Sequence, residues 1–287
     1  MTGDGINDGP ALKAADVGIA MGSAQLDVAR SVADIIIEDD NLATLVTAIA
    51  EGRTTYGNIR KALRFLLSTN FGEIGMVLAS LLLGLKPPFS AMQLLWINLV
   101  TDIFPGLALA QEPAEDGVLE RPPRDARAPI VSDDDLAVMI RESAVMTCGP
   151  LVAYLYGLLR HGAGPRASTL ALSSLIGGQM AHALTCRSED IGLMELERLA
   201  PNRTLDLALG GTIAVQTLAT LLPPLRRLLG LAPLGPLDLL VAGLASSVPA
   251  LINDRIGTTS RAAADGEKTA AHPAGEKRSG DAAGRTA

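Results

Sequence analysis

The sequence predicts an α-helical multi-pass membrane bundle of about six transmembrane helices, preceded by a partial α/β segment. The mean hydropathy of the 287 residues is +0.30 and 19% of them are charged, a composition that favours membrane segments. Long apolar runs begin near residue 63, whereas the first fifty residues alternate short β-branched runs with more polar stretches. The formal charge of −7 disfavours nucleic acid as a partner, because phosphate binding requires a basic surface.

The first fifty residues predict a small α/β segment. Two short runs rich in β-branched residues, 17–21 and Ile35–Ile37, predict buried parallel strands. Helices are predicted around them at 11–15, 25–33 and 42–51. The glycine-rich turn at the start of the chain should follow a strand, so we expect an N-terminal portion to be missing from this chain.

Six stretches are candidates to cross a bilayer, whose hydrocarbon core takes about 20 residues of helix. The fourth and sixth are short and rich in small residues, which suits packing inside a bundle. The alternative is that all six are buried helices of a large soluble protein. The predicted spans are 63–85, 91–110, 136–159, 169–186, 205–223 and 237–253.

The distribution of basic residues predicts the orientation of the chain. Lysine and arginine are concentrated at the span ends on the same side as the N-terminal segment. The positive-inside rule therefore predicts that this segment and the tail are cytoplasmic, and we expect the membrane to be the plasma membrane. The predicted domains are an α/β domain at 1–50, a stalk and membrane bundle at 51–253, and a disordered tail at 254–287, which has almost no large apolar residue to bury.

The chain opens with a motif of glycine, aspartate and asparagine that suits phosphate and magnesium chemistry. Asp4 and Asp8 offer the hard carboxylate oxygens that Mg²⁺ prefers, and Asn7 can donate a hydrogen bond to a phosphate oxygen. The same residue types also form ordinary tight turns, so the motif is specific only through its length and the membrane segment that follows. It reads Thr2-Gly3-Asp4-Gly5-Ile6-Asn7-Asp8-Gly9-Pro10-Ala11-Leu12.

Two acidic residues lie in the middle of predicted spans, with amide neighbours on the same helix face. Glu73 follows Asn70 by three residues, and Asp102 follows Asn98 by four. An ionisable group at the bilayer centre costs on the order of 2.5–3.5 kcal/mol, which favours a cation site over a packing role for the two acids. Pro105 is expected to interrupt the second span just after this group.

The polar side chains of these spans offer oxygen ligands in the number that a hard cation takes. Ca²⁺ binds about 6–8 oxygens, and the set offers about that many if each acid contributes two. A soft metal is disfavoured because no Cys-Pro-Cys sequence occurs. For Asn70 or Thr101 singly, interhelical hydrogen bonding is an alternative role. The candidate ligands of the transported cation are Asn70, Glu73, Asn98, Thr101, Asp102 and Gln179.

The opening motif resembles the Thr-Gly-Asp-Gly-x-Asn-Asp-x-Pro-Ala-Leu signature of the P-type ATPases. These ion pumps carry a phosphorylation domain of the haloacid dehalogenase class, and the resemblance covers about residues 1–253. It implies that residues 1–50 are the C-terminal part of that domain and that ATP is the energy source of the full-length enzyme. It also implies that Asp4 and Asp8 hold Mg²⁺ at the phosphorylation site and that Asn7 lies near the phosphoryl group.

The membrane segment resembles the calcium-pump and sodium-pump branch of that family. The sequence Asn98-Leu99-Val100-Thr101-Asp102 is similar to the sixth membrane helix of this branch, and Thr69-Asn70-Phe71-Gly72-Glu73 to its fifth. The resemblance implies that both sequences supply cation ligands, with Ca²⁺ the leading ion. Gln179 stands where the endoplasmic-reticulum calcium pump has a ligating glutamate. His182 is predicted to be a packed core residue and not a ligand, because an imidazole suits a hard cation poorly.

Several signatures of a complete pump do not occur in the 287 residues, among them the Asp-Lys-Thr-Gly-Thr of the phosphorylated aspartate. The first hypothesis is therefore the C-terminal half of a cation-pumping ATPase, whose partners are lipid, the cation, and the missing N-terminal portion or a complementing chain. The second is a catalytically inactive truncated membrane protein that acts as an ion-binding subunit or regulator. The third is a soluble phosphatase of the same superfamily. Na⁺, Mn²⁺ or H⁺ could use similar oxygen ligands.

Overall fold

The computed structural model describes residues 1–3, 6–21, 31–39, 41–115, 117–124, 127–188 and 191–271. The chain divides into two compact units. The first comprises Met1–Arg60 and Ala110–Ile130, and the second comprises Lys61–Leu109 and Val131–Ala287.

The first unit contains a three-stranded parallel sheet in the order β1 (Thr2–Gly3), β2 (Ile19–Met21) and β3 (Ile35–Ile37). Ile19 of the central strand lies opposite residues of both neighbours. The two predicted strands are therefore present and parallel. Helix α1 (Gly9–Ala14) follows the opening motif, with proline in its first turn. Most of the helix predicted at 25–33 lies outside the described residues.

Helix α2 (Leu42–Leu82) is one continuous helix of 41 residues, where the sequence predicts separate helices at 42–51 and 63–85. The two join because the intervening residues contain no proline, and their glycines weaken a helix without ending it. Gly84 follows the helix with φ +68°. In that left-handed conformation the amide of Leu85 donates to the Ser80 carbonyl at 2.9 Å, which closes the last turn.

The second span is helical from residue 91 to 109, but its middle third is a π-helix. Helix α3 (Ala91–Trp96) leads into a π-helical segment (Ile97–Asp102), and α4 (Ile103–Leu109) completes the run. Pro105 lies inside α4, so the expectation that it interrupts the span there was wrong. A proline cannot donate to the carbonyl four residues back, here Thr101, and the helix accommodates this with a wider turn before the proline.

The rest of the second unit consists of α5 (Asp133–His161), α6 (Pro165–Thr185), α7 (Arg203–Leu221), the short α8 (Pro223–Leu228) and α9 (Pro236–Ala271). Helices α5, α6 and α9 make the most extensive mutual contacts. The segment from 254 to 271 is helical as the end of α9, and the disorder predicted for residues 254–287 stays a prediction. Residues 272–287 lie outside the described part.

Five helical segments in the described residues are long and apolar enough to cross a membrane. They correspond to five of the six predicted spans. The remaining one, predicted at 169–186, forms α6, a 21-residue helix that is not among the five. The five segments are Ala43–Leu82, Ala91–Leu109, Asp133–His161, Arg203–Leu221 and Pro236–Ile256.

Helix α6 is the most enclosed helix of the second unit, and small residues let its neighbours approach. A Cβ atom on Gly157 of α5 would lie 2.6 Å from the Ala167 Cα of α6. A Cβ on Gly177 of α6 would lie 2.9 Å from the Ser246 side chain of α9. Most of α6 is buried, including polar residues such as Gln179 and His182. Because its neighbours shield it, α6 needs less apolar surface than a helix that faces lipid.

Candidate cation site

The two intramembrane acids lie buried on neighbouring elements of the second unit. Glu73 of α2 is 6% exposed, and Asp102, the last residue of the π-helical segment, is 4% exposed. Asn70, three residues before Glu73 on the same helix, donates to Asp102 at 3.2 Å, so the two acids lie near each other. Ionised carboxylates placed this way are costly unless a cation or protons neutralise them.

Gln179 of α6 links the two elements that carry the acids. Its side-chain nitrogen Nε2 donates to Glu73 Oε1 at 2.9 Å. Its oxygen Oε1 lies 2.9 Å from the hydroxyl of Thr101. Both Gln179 and Thr101 have no exposed surface. One amide therefore fixes Glu73 and Thr101 relative to each other from a third helix.

Asn70 is hydrogen-bonded to the other acid, Asp102. Its Nδ2 donates to Asp102 Oδ2 at 3.2 Å and to the Leu66 carbonyl of its own helix at 2.7 Å. The second carboxylate oxygen of Asp102, Oδ1, is buried and has no hydrogen-bond donor among the described residues. The adjacent hydroxyls of Thr69 and Thr101 lie in range of backbone carbonyls of their own helices. A buried carboxylate oxygen without a donor fits the ligand set of a hard cation.

Asn98 does not join this cluster. Its side chain is exposed, and its Nδ2 donates to the Leu94 carbonyl of the same helix at 2.9 Å. The prediction that it shares a face with Thr101 and Asp102 assumes α-helical spacing. The segment is π-helical, and its larger number of residues per turn moves Thr101, three positions on, further round the helix from Asn98.

Glu142 of α5 is a further buried acid, outside this cluster, and sequence reasoning did not find it. It is 2% exposed and pairs with Arg64 of α2. The signal available in the sequence was a basic residue in one span and an acid in another, which does not by itself identify a pair. His182 is packed, as predicted: it is 2% exposed and its ring stacks on Phe65 with centroids 6.3 Å apart.

The opening motif lies in the first unit, where it contains β1 and runs on into α1. Asp4 lies outside the described residues, Asn7 is exposed and Asp8 is half-buried. A Cβ atom on Gly3 would lie 2.7 Å from the Cβ of Asp8, so only glycine allows Asp8 to pack over the end of the strand. The described residues include no group of three or more His, Cys, Asp or Glu side chains that could hold a metal ion. The intramembrane cluster instead combines two carboxylates with amides and a hydroxyl.

Residues 86–256 match the family described as the C-terminus of cation-transporting ATPases. Calcium-transporting ATPase type 2C member 1 of Homo sapiens is 36% identical over 249 residues. Calcium-transporting ATPase 1 of Schizosaccharomyces pombe is 34% identical over 241 residues, and the protein of that name in Bacillus cereus is 34% identical over 272 residues.

These alignments cover most of this chain and a smaller share of each relative. They span 86%, 84% and 89% of the chain, but 27%, 27% and 30% of the human, Schizosaccharomyces pombe and Bacillus cereus proteins. The family match covers more than half of the chain, including the second, third, fifth and sixth predicted spans and α6. The chain therefore belongs to the family of cation-transporting ATPases and carries their C-terminal domain.

Proposed function

We propose that this chain supplies the intramembrane cation site of an ATP-driven calcium pump. The observation that carries the proposal is the buried pair Glu73 and Asp102, linked through Gln179 and Asn70, in a helical membrane bundle. Two carboxylates carry the two negative charges that one Ca²⁺ neutralises, and amide and hydroxyl oxygens complete a hard-cation ligand set. The relatives that align over most of the chain are named calcium-transporting ATPases, which favours Ca²⁺ among the cations that oxygen ligands accept.

The proposed ligands are Asn70, Glu73, Thr101, Asp102 and Gln179. We assign Asn98 a weaker role, because its side chain is exposed and bonded to its own helix. Gln179 contributes a neutral oxygen, so the charge of the cluster suits one divalent cation per chain and not two.

We further propose that residues 1–50 belong to a phosphorylation domain of the haloacid dehalogenase class. Asp4 and Asp8 would hold Mg²⁺ there, and Asn7 would bind a phosphoryl oxygen. The tight packing of Asp8 over Gly3 at the end of a parallel strand supports this assignment. Mg²⁺, when bound, would neutralise charge on the transferred phosphoryl group. The phosphorylated aspartate and the nucleotide site would come from an N-terminal portion or a complementing chain, with residues 1–50 and the tail in the cytoplasm of a plasma-membrane pump.

Direct cation binding tests the central proposal. The purified chain in lipid nanodiscs is titrated with ⁴⁵Ca²⁺ in equilibrium dialysis, with Na⁺ and Mg²⁺ as competitors. We expect saturable binding at one site per chain that Na⁺ displaces poorly. Asp206→Asn, which removes an exposed carboxylate at the start of α7, is the control and should leave binding unchanged. Absence of saturable Ca²⁺ binding by the folded chain would refute the proposal.

A further inference from the structure

Glu142 forms a buried ion pair with Arg64. Its carboxylate receives two hydrogen bonds from the Arg64 guanidinium, one of them from Nε to Oε2 at 3.1 Å. The side chains are 3% and 13% exposed. A buried pair of this kind contributes little net stability, because removing both charges from water costs about as much as their attraction returns. Its best-attested use is to fix one arrangement of the elements that carry it.

Glu142 also contacts two further helices. His182 of α6 places its Nε2 3.9 Å from Glu142 Oε2. Asn253 of α9 donates from Nδ2 to the Glu142 backbone carbonyl at 3.0 Å, in a buried position. One residue of α5 therefore meets side chains from α2, α6 and α9 at a single level of the bundle.

Two of these three helices, α2 and α6, carry Glu73 and Gln179, which are hydrogen-bonded to each other in the cation site. On α2, Arg64 precedes Glu73 by nine residues, about 14 Å along the helix axis at 1.5 Å per residue. On α6, His182 follows Gln179 by three residues, about one turn. Glu73 and Gln179 then meet at 2.9 Å. Glu142 thus contacts α6 about one turn from Gln179 and contacts α2 about 14 Å along the helix from Glu73.

A second contact fixes α2 against α5 on the other side of Asn70. The hydroxyl of Thr147 lies 3.2 Å from the Gly72 carbonyl oxygen. A Cβ atom on Gly75 would lie 3.7 Å from the Thr147 Cβ. The part of α2 that bears Asn70 and Glu73 therefore has a defined register against α5, with the ion pair at one end and this close approach at the other.

We propose that Glu142 is a positioning residue of the cation site, which sets the register of α2 and α6 through Arg64 and His182. The role as part of a cation site rests on the proposed function. The register that Glu142 sets between the helices does not depend on the proposed function. The register and the effect on cation binding can therefore be measured separately. Glu142 touches no proposed ligand, so its effect on the cation would be exerted through the helices alone.

Disulfide cross-linking measures the register. Gly75→Cys and Thr147→Cys are combined with Cys148→Ser, and the yield of the intramolecular disulfide is followed in nanodiscs. The Cβ separation of 3.7 Å lies in the range that a disulfide needs, about 3.5–4.5 Å, so the unaltered ion pair should give a high yield. The double variant Arg64→Leu/Glu142→Leu removes both charges without leaving one buried alone. We expect its yield to fall several-fold, and the reversed pair Arg64→Glu/Glu142→Arg to recover much of the loss.

Calcium affinity, measured in chains that keep Gly75 and Thr147, is the second readout. We expect Arg64→Leu/Glu142→Leu to weaken Ca²⁺ binding by about tenfold, since small displacements of ligands are costly to a preorganised site. The matched control is Glu195→Gln/Arg198→Gln, which removes an exposed pair with an N–O distance of 3.2 Å and should change neither readout.

Each outcome either supports or overturns the role proposed for Glu142. An unchanged disulfide yield in the leucine variant overturns the proposal, and so does a lost register with unchanged Ca²⁺ affinity, because the pair would then be structural only. If the unaltered chain binds no Ca²⁺, the proposed function fails, while the cross-linking result still decides whether Glu142 sets the register.

Discussion

Replacing Asp102 by asparagine removes one of the two charges of the proposed cation site and leaves its shape almost unchanged. Asparagine has the size of aspartate, and its side-chain oxygen can still accept the hydrogen bond that Asn70 donates at 3.2 Å. The added NH₂ group takes the place of Oδ1, which has no donor among the described residues. The bundle should therefore fold with this substitution, so that a change in binding reports on the lost charge.

The size of the effect follows from the burial of Asp102, which is 4% exposed. Removing one partner from a buried charge pair costs about 3–5 kcal/mol. A tenfold change in affinity corresponds to about 1.4 kcal/mol, so we expect Asp102→Asn to weaken Ca²⁺ binding by about 10²-fold to 10³-fold or more. Asn98→Ala removes a neutral oxygen from an exposed side chain. The expected cost to Ca²⁺ binding is about 0.5–1.5 kcal/mol, which is a loss of affinity of about tenfold or less.

Equilibrium dialysis with ⁴⁵Ca²⁺ measures both variants in nanodiscs, and the near-ultraviolet circular dichroism of each confirms that it is folded. The reasoning is refuted if folded Asp102→Asn binds Ca²⁺ within tenfold of the unaltered chain. It is equally refuted if Asn98→Ala weakens binding as much as Asp102→Asn does, because the site would then contain a ligand that the structure places outside it.

Three further predictions concern binding stoichiometry, a helix cap and a carboxyl group. Saturating ⁴⁵Ca²⁺ should give one ion per chain, since the buried cluster has two acids, and a value of two would contradict this charge balance. Asn202→Ala should destabilise the detergent-solubilised chain by about 2 kcal/mol in a denaturant titration, because the buried side chain caps α7 and donates to a carbonyl of α4, each worth about 1 kcal/mol. The Thr44 hydroxyl and the Asn41 amide, which donate to Asp39, hold the pKa of its carboxyl below its ordinary value. The stability that these two hydrogen bonds give the folded state is therefore present above the ordinary pKa and is lost as pH falls through the folded pKa of Asp39. Thr44→Val should raise the pKa of Asp39 in an NMR titration. An unchanged pKa would show that the hydroxyl does not contribute.

The sequence predicted the elements whose signal is local. The strands 19–21 and 35–37 were recognisable from β-branched runs, and five of the spans from their apolar length. The two acids were recognisable because charge in an apolar span is costly wherever the helix packs. Helix α6 was predicted as a span, yet what distinguishes it is enclosure by neighbours, which depends on contacts with α5 and α9 that no single stretch of sequence contains.

The parts that could not be predicted depend on pairs of distant residues. Arg64 and Glu142 are separated by 78 residues, and nothing in either span shows that one will neutralise the other. The hydrogen bond from Gln179 to Glu73 joins residues separated by 106 positions. Sequence reasoning placed Gln179 among the ligands as an oxygen donor in a predicted span, but its role as the link between two helices emerges only from their packing.

The ligand set itself depends on a local departure from α-helical geometry. Pro105 lacks the amide hydrogen that would bond to the Thr101 carbonyl, and the π-helical turn precedes it directly. Within that segment Thr101 and Asp102 are buried, whereas Asn98 is exposed. The residue types of this span thus determine which oxygens are available, whereas the proline and the turn it imposes determine which of them face Glu73 and Gln179.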